Sequence, residues 1–509
     1  MIATRPSSPN VVFILVDDMG YGDFSAFNGG VSRTPTLDAL LDESVCLSQH
    51  YTASPVCNPS RAALLTGRYP HRTGSIDTLE WRGLERLALR ERTLPQMLQE
   101  RGYVTGHVGK WHLGAFDPRY HPARRGYDET VCFRGGMHDY YDWRIEWGTG
   151  TVRRGDGRYL TDLWTDEAVR FIHRHRSEPF FLHVNYNAPH TPLQAPAHMV
   201  RAYEDREGLT RGVRTLYAMI QALDAGVARV LETVRRLGLE ENTLVIFTSD
   251  NGPQFGGEGE ERLDRFNCQL NGAKGTTYEG GIRVPGIWRW PAGGLSGGRT
   301  VDRMVHFTDY LPTILAAVDG KAGAAATDAQ AAAGAEAAPG ASGAAGLRSA
   351  GVDSGMTVGL RLDGVNVLPA VRGEDADVVT RRCWQWNRYS PVATCNAAIR
   401  DGDWKLVRPQ IPEAMTVPDI KHLHTAMYQH EYFIEHGIFT GDPEREIPPP
   451  PPPELYNIAD DPLEQHDLAA THPQEVRRLE RELDRWFESV ERDRRSITDE
   501  WIVNSGSGW

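Results

Sequence analysis

Two pairs of oxygen-bearing side chains each close an apolar run: Asp17 and Asp18 end "NVVFILVDDMG", and Asp250 and Asn251 end "NTLVIFTSDNG". Three carboxylates and an amide oxygen brought to one place form an all-oxygen site suited to a hard divalent cation, Ca²⁺ or Mg²⁺. A single Asp after a strand serves equally well as a helix cap or turn former; two such pairs in matching positions favour metal binding. Basic groups recur elsewhere. Lys110 and His112 stand two apart in "GHVGKWHLG", so an extended backbone points both the same way. His190 lies in "NAPHTP", and Lys274 in the glycine-rich "NGAKGTTYEGGIRVP". One Lys is ordinarily only solvated, and one loop His caps or packs. Together they supply the positive charge and proton carriers that phosphoryl or sulfuryl transfer requires.

Cys57 stands in "SPVCNPSRAALLTGRYP". Pro59 suits the first turn of a helix beginning near Asn58, because proline lacks an N–H at a position that has no helical acceptor. Residue 57 then sits at a helix N-terminus, where the backbone favours negative charge, and Arg61 reaches toward the same anion one turn on. Local sequence leaves three roles open for Cys57: a small buried side chain, a reactive thiol, or the precursor of another group.

These residues must be positioned by a larger frame. "NVVFILV", "NTLVIF" and "PFFLHVNYNAPHTP" read as strands buried on both faces, whose C-terminal ends open into loops. Between them "DLWTDEAVRFIHRH" and "LYAMIQALDAGVARVLETVRRLG" carry helical periodicity, the second ending at Gly238. Alternating strands and helices predict an α/β fold with a large, mostly parallel central sheet flanked by helices on both faces. In such a sheet the acidic strand ends share one edge, where ligands bind.

Residues 1–320 are expected to form this catalytic α/β domain. Residues 321–357, almost all Ala, Gly and small polar residues, read as a disordered insert. Residues 358–509 read as a smaller C-terminal α+β subdomain. It contains the strand-like "CNAAIRDGDWKLVRP", six prolines at 448–453, and an amphipathic helix with Val476, Leu479, Leu483, Trp486, Phe487 and Val490 on one stripe.

The net charge of −13 offers no basic excess to neutralise a phosphate backbone, which argues against nucleic acid as a partner. No run is long and apolar enough for a membrane span. The six cysteines are too sparse for a disulfide scaffold and lack zinc spacing, although Cys383 and Cys395 could pair in an oxidising compartment.

"CNPSRAALLTGRYPHRTG" resembles the signature of type I, formylglycine-dependent sulfatases of the alkaline-phosphatase-like superfamily. In that family Cys-x-Pro-Ser-Arg followed by Leu-Thr-Gly-Arg directs oxidation of the cysteine to Cα-formylglycine. "PNVVFILVDDMGYGD", "GYVTGHVGKWHLG", "NAPHTP", "TLVIFTSDNG", "GAKGTTYEGGIRVP" and the late "ELYNIADDPLEQHDLA" agree in order and context. The resemblance implies an arylsulfatase or carbohydrate sulfatase that hydrolyses sulfate monoesters. Asp17, Asp18, Asp250 and Asn251 would hold one cation, most often Ca²⁺ with Mg²⁺ as the alternative, and residue 57 would complete its shell. One hydroxyl of the hydrated aldehyde would attack sulfur, with Asp250 taking its proton. Arg61, Lys110 and the metal would stabilise charge, and His190 and Lys274 would hold the sulfate and assist departure of the alcohol. With His112 as base, the second hydroxyl would expel sulfate, a step that no thiol can perform.

The resemblance also implies two partners, a small anionic sulfate ester such as a sulfated sugar and a formylglycine-generating maturation enzyme. Two other readings stay open. Phosphonate and phosphate monoester hydrolases of the same superfamily can share the cysteine motif, although those resemble Asp-His where this chain has Asp250-Asn251. A binding-only relative would keep Cys57 as a thiol. "FRGGMHDYYDWRIEWGTG", residues 133–150, is a candidate wall for a sugar ring, with core packing as the equal alternative. The N-terminal "MIATRPSSPN" lacks a signal core, so a cytoplasmic location acting on small imported sulfates is expected.

Overall fold

The computed structural model describes residues 8–320, 360–376 and 378–498. The insert expected at 321–357 lies outside the described residues. Ten strands form the main sheet: β1 (Asn10–Val16), β2 (Val45–Tyr51), β3 (Val104–Lys110), β4 (Glu129–Phe133), β5 (Arg144–Trp147), β6 (Thr151–Arg154), β7 (Phe180–Asn185), β8 (Thr243–Ser249), β9 (Gly286–Arg289) and β10 (Arg299–His306). Their order is β10-β2-β9-β8-β1-β7-β3-β4-β5-β6. The run from β8 through β1, β7 and β3 to β4 is parallel throughout. Antiparallel pairing enters at β9, which lies between β2 and β8, and at the β5–β6 edge. The expected mostly parallel sheet is therefore present, with antiparallel members outside its centre.

β1 shows why an unbroken apolar run marks the sheet's middle. Side chains alternate across a strand, and here Val12, Ile14 and Val16 enter one hydrophobic core while Val11, Phe13 and Leu15 enter the other. The helix Leu160–His175 and the long helix Arg211–Arg236 cover the first face. The long helix starts several residues before its apolar pattern is plain in the sequence. Thr210 caps it, accepting from the Val213 N–H, and Gly238 follows at φ 70°.

The C-terminal part contains a four-stranded antiparallel sheet, β11 (Arg381–Gln385), β12 (Ala397–Asp401), β13 (Trp404–Arg408) and β14 (Glu454–Asn457), in that order. "CNAAIRDGDWKLVRP" is its β12–β13 hairpin. The last helix, Pro473–Arg495, buries Leu479, Leu483 and Val490. Its Trp486 meets Tyr69 edge-on at 5.2 Å, and its Asp493 binds Arg72 at 2.7 Å and Arg68 at 3.0 Å. The stripe read from the sequence thus fastens the small sheet to the segment that follows the Cys57 helix. Cys383 and Cys395 are both free, so no bond joins them; Cys395 instead accepts from the Ile411 N–H.

Candidate active site

Register assembles the acidic groups. β1 and β8 run parallel with Val16 beside Ser249, and the Asp250 N–H donates to the Val16 carbonyl at 3.0 Å. The two pairs that follow these strands therefore emerge side by side. β7 and β3 extend the same edge, so Lys110, the last residue of β3, reaches Asp17 with its Nζ 2.6 Å from Oδ2. Gly109 lets β3 come this close, since a Cβ there would lie 1.9 Å from the Asn185 carbonyl oxygen. His112 also enters the site, but not through strand alternation: β3 has ended, and His112 turns inward at φ 57°. Asp18 has φ 68°. Left-handed backbone at both positions is the strain expected where side chains are aimed at a reaction centre.

Cys57 is the first residue of the helix Cys57–Thr66, one residue earlier than the sequence suggested. Its Sγ lies 3.3 Å from His112 Nδ1. Burial pushes the thiol up in pKa even though Lys110 and Lys274 pull the other way, so the unmodified side chain is held as a thiol rather than a thiolate. One turn along, Arg61 donates from Nε to Asp250 Oδ2 at 2.8 Å and from an NH1 to Asn185 Oδ1 at 3.2 Å. Lys274 binds Asp18 at 2.7 Å, and His190 Nε2 stands 3.7 Å from Asp18 Oδ2. All ten residues singled out in the sequence converge here.

The donor set fits a cation. Asp17 Oδ1, Asp250 Oδ1 and Asn251 Oδ1 are buried without a hydrogen-bond partner, a costly condition for oxygen atoms unless something binds them. Asp17, Cys57 and Asp250 offer ligand atoms within 4.8 Å of one another, as do Asp17, Asp18 and His190. Burial and Asp17 push the Asp250 carboxyl up to about 6 against Arg61, and burial also raises Asp17. Burial acts on Asp18 as well, but Lys274 and His190 outweigh it and hold that carboxyl below its usual range. Crowded acids of this kind ionise together readily only around a positive ion. Burial, reinforced by Lys110 and Arg61, holds His112 well below the ordinary imidazole value. Burial with Lys274 lowers His190 to about 3, so both rings are neutral acceptors.

Three residues of this neighbourhood were not singled out in the sequence. Asn185 ends the third apolar run and would have been found by the same strand-end reasoning. Asn58, the variable residue of the cysteine motif, donates to the carbonyls of His112 and Glu85 at 2.6 and 2.7 Å and so fixes the turn that carries His112. Glu80 lacks any local signal, because a long chain excursion brings it over Cys57. The stretch 133–150 divides between its two expected uses: Phe133, Tyr140 and Trp143 pack in the core, and Gly136 and Met137 line the cavity above Cys57.

The sulfatase family profile matches residues 9–320. The chain belongs to the sulfatase family. Its alkaline-phosphatase-like architecture agrees with this membership. This member of the family is 34% identical to arylsulfatase J of Mus musculus over 330 residues, 62% of this chain and 53% of that protein. It is 35% identical to N-acetylgalactosamine-6-sulfatase of Mus musculus over 350 residues, 62% of this chain and 64% of that protein. The matches thus span about half to two thirds of these relatives' length. The crystal structure of Ps i-CgsB, 27% identical, superposes with a TM-score of 0.72 over 98% of this chain and 96% of that one, and Ps i-CgsB is also known in complex with k-i-k-neocarrahexaose. The cytoplasmic location expected from the sequence is corrected: the curated relatives, mammalian arylsulfatase J and N-acetylgalactosamine-6-sulfatase, give it no support. The expectation rested on the composition of the first ten residues given, which is no guide to compartment. No helix among the described residues is long and apolar enough to cross a membrane.

Proposed function

We propose that this chain hydrolyses sulfate monoesters of sugars or aryl alcohols, releasing inorganic sulfate, and that Cys57 is the precursor of its nucleophile. The observation that carries the reading is the setting of Cys57. Its sulfur shares a buried cluster with Asp17 and Asp250, contacts His112, and opens a helix. Burial that keeps the thiol protonated makes the unmodified residue a poor nucleophile. Oxidation by a formylglycine-generating enzyme would give a hydrated aldehyde with one hydroxyl to attack sulfur and a second to release the sulfate.

The rest of the chemistry falls to the surrounding side chains. Asp250 takes the proton of the attacking hydroxyl, and Arg61 fixes its carboxylate. Lys110 and Arg61 offset charge that develops on the transferred group. Lys274 and His190 hold the sulfate and assist departure of the alcohol, with Lys274, kept protonated beside Asp18, as the member that carries a proton to give. His112, neutral and in contact with residue 57, takes the proton of the second hydroxyl. A divalent cation, Ca²⁺ or Mg²⁺, held by Asp17, Asp18, Asp250 and Asn251 with residue 57, would supply Lewis-acid stabilisation of the nucleophile and of a sulfate oxygen. In this reading residues 1–320 carry the reaction, and residues 358–509 close the cavity through Arg388, Ile420 and Leu423.

Co-expression with a formylglycine-generating enzyme tests the reading, followed by assay against 4-nitrophenyl sulfate, 4-nitrophenyl phosphate and phenyl phosphonate esters. The sulfate ester should have the highest kcat/KM. A preference for the phosphonate would overturn the assignment, as would inactivity toward all three in protein whose residue 57 has matured.

A further inference from the structure

We infer that Glu80 selects the alcohol part of the ester, admitting a neutral ring and rejecting one that carries its own anionic group. This inference rests on the sulfatase reading above. The cavity over Cys57 has a volume of about 300 Å³, at the small end for ligand sites and sufficient for about one substituted ring. With the sulfate held by His190 and Lys274, the alcohol occupies the remainder of that space, and Glu80 and Trp81 form part of its wall.

The charges around this cavity are not equivalent. Lys274 is matched by Asp18 at 2.7 Å, and Arg388 by Asp77 at 3.0 Å. Glu80, only 5% exposed, has no ion-pair partner among the described residues. Its Oε1 accepts the backbone N–H of Gly136. A Cβ on Gly135 would lie 2.9 Å from Glu80 Oε2, and one on Gly136 would lie 2.6 Å from the His112 ring. The glycine pair is therefore a thin backbone wedge with the Glu80 carboxyl on one side and His112 on the other, and a bulkier residue at either position would part them. The segment that carries Glu80 is itself tied to His112, through the Thr78 carbonyl 3.4 Å from Nε2.

A carboxyl kept in such a place without a counter-charge is costly, and it gains a purpose if a substrate group meets it. Burial pushes Glu80 up to about 7; the Gly136 N–H and Lys110 oppose the rise and Glu85 adds to it. At pH 8 the group is ionised. A ring hydroxyl or amide N–H then finds a strong acceptor, whereas a second sulfate or a carboxylate meets like charge in a site of low dielectric, a repulsion that discriminates between partners.

Two aryl sulfates whose phenols have closely similar acidity, 4-acetamidophenyl sulfate and 4-carboxyphenyl sulfate, isolate this effect, because the chemical step is nearly the same for both. At pH 8 the matured wild-type enzyme should favour the neutral ester in kcat/KM by about tenfold or more, and Glu80→Gln should narrow that ratio to about threefold or less. Equal kcat/KM for the two esters in the wild type overturns the inference without need of a variant. An unchanged ratio in an active Glu80→Gln does so too, as does a Glu80→Gln that melts like the wild type yet hydrolyses neither ester. Inactivity of the matured wild type toward both esters instead overturns the sulfatase reading itself.

Discussion

Arg61 Nε donates to Asp250 Oδ2 at 2.8 Å and one of its NH2 groups approaches the same oxygen to 2.7 Å, which leaves Asp250 Oδ1 buried with no hydrogen-bond partner. One residue of the cysteine motif thus holds an acid from a distant strand end with half of that acid free to act. The arrangement couples the helix that presents residue 57 to the strand that presents Asp250.

Breaking this pair should cost both stability and activity. Arg61→Met leaves Asp250 uncompensated, and the loss of one partner of a buried pair costs roughly 3–5 kcal/mol. Arg61→Lys keeps the charge but lacks the planar fork that reaches Asp250 and Asn185 together. Denaturant unfolding and kcat should therefore rank wild type above Arg61→Lys and Arg61→Lys above Arg61→Met. Equal stability for Arg61→Met and the wild type would show that the pair contributes little.

Removal of a cation should be visible apart from turnover. Chelation should lower both activity and Tm, and added Ca²⁺ or Mg²⁺ should restore them, since a ligand at about 100 times its Kd stabilises by about 2.7 kcal/mol. Asp17→Asn and Asp250→Asn should lose that Tm response. A Tm indifferent to chelator and cation would mean that the three orphaned oxygens hold no metal.

The sequence made the site legible to the extent that its residues announce themselves locally. Apolar runs buried on both faces can only be central strands, so Asp17, Asp18, Asp250 and Asn251 could be assigned to a shared edge before any register was known. Lys110 and His112 both reach the cluster, but not by the alternation their spacing suggests, because the strand stops at Lys110 and a left-handed turn brings His112 in. β9 was invisible: four residues in an antiparallel position carry no periodicity that distinguishes them from a buried loop. Glu80 and Arg388 were equally hidden, since their place in the cavity depends on long connections and on packing of the C-terminal part.

A buried triad joining that part to the short helix Glu279–Ile282 ahead of β9 gives a pH signature. Lys405 Nζ lies 2.9 Å from Glu279 and 2.7 Å from Glu464. Burial pushes Glu464 up to about 7, Lys405 opposing and Glu279 adding to the rise. An acid with a raised native value binds a proton that the unfolded chain has released. Its contribution is fully present below about 4.5 and is lost as pH climbs toward about 7. Tm should fall across that window more steeply in the wild type than in Glu464→Gln, whatever the variant's absolute stability. Parallel profiles would place the proton elsewhere.

Cys57→Ala should fold with a Tm close to that of the wild type, because it removes one small buried side chain, yet release no sulfate from an aryl ester. Retained turnover would remove residue 57 from the mechanism.

The central claim, that Cys57 is a precursor rather than a working thiol, meets its most direct test in the mass of the peptide containing residue 57, taken from a preparation that is turning over 4-nitrophenyl sulfate. We expect that peptide to have lost sulfur and two hydrogens and gained one oxygen, in proportion to the specific activity of the preparation. An active preparation whose residue 57 is wholly cysteine would contradict the account.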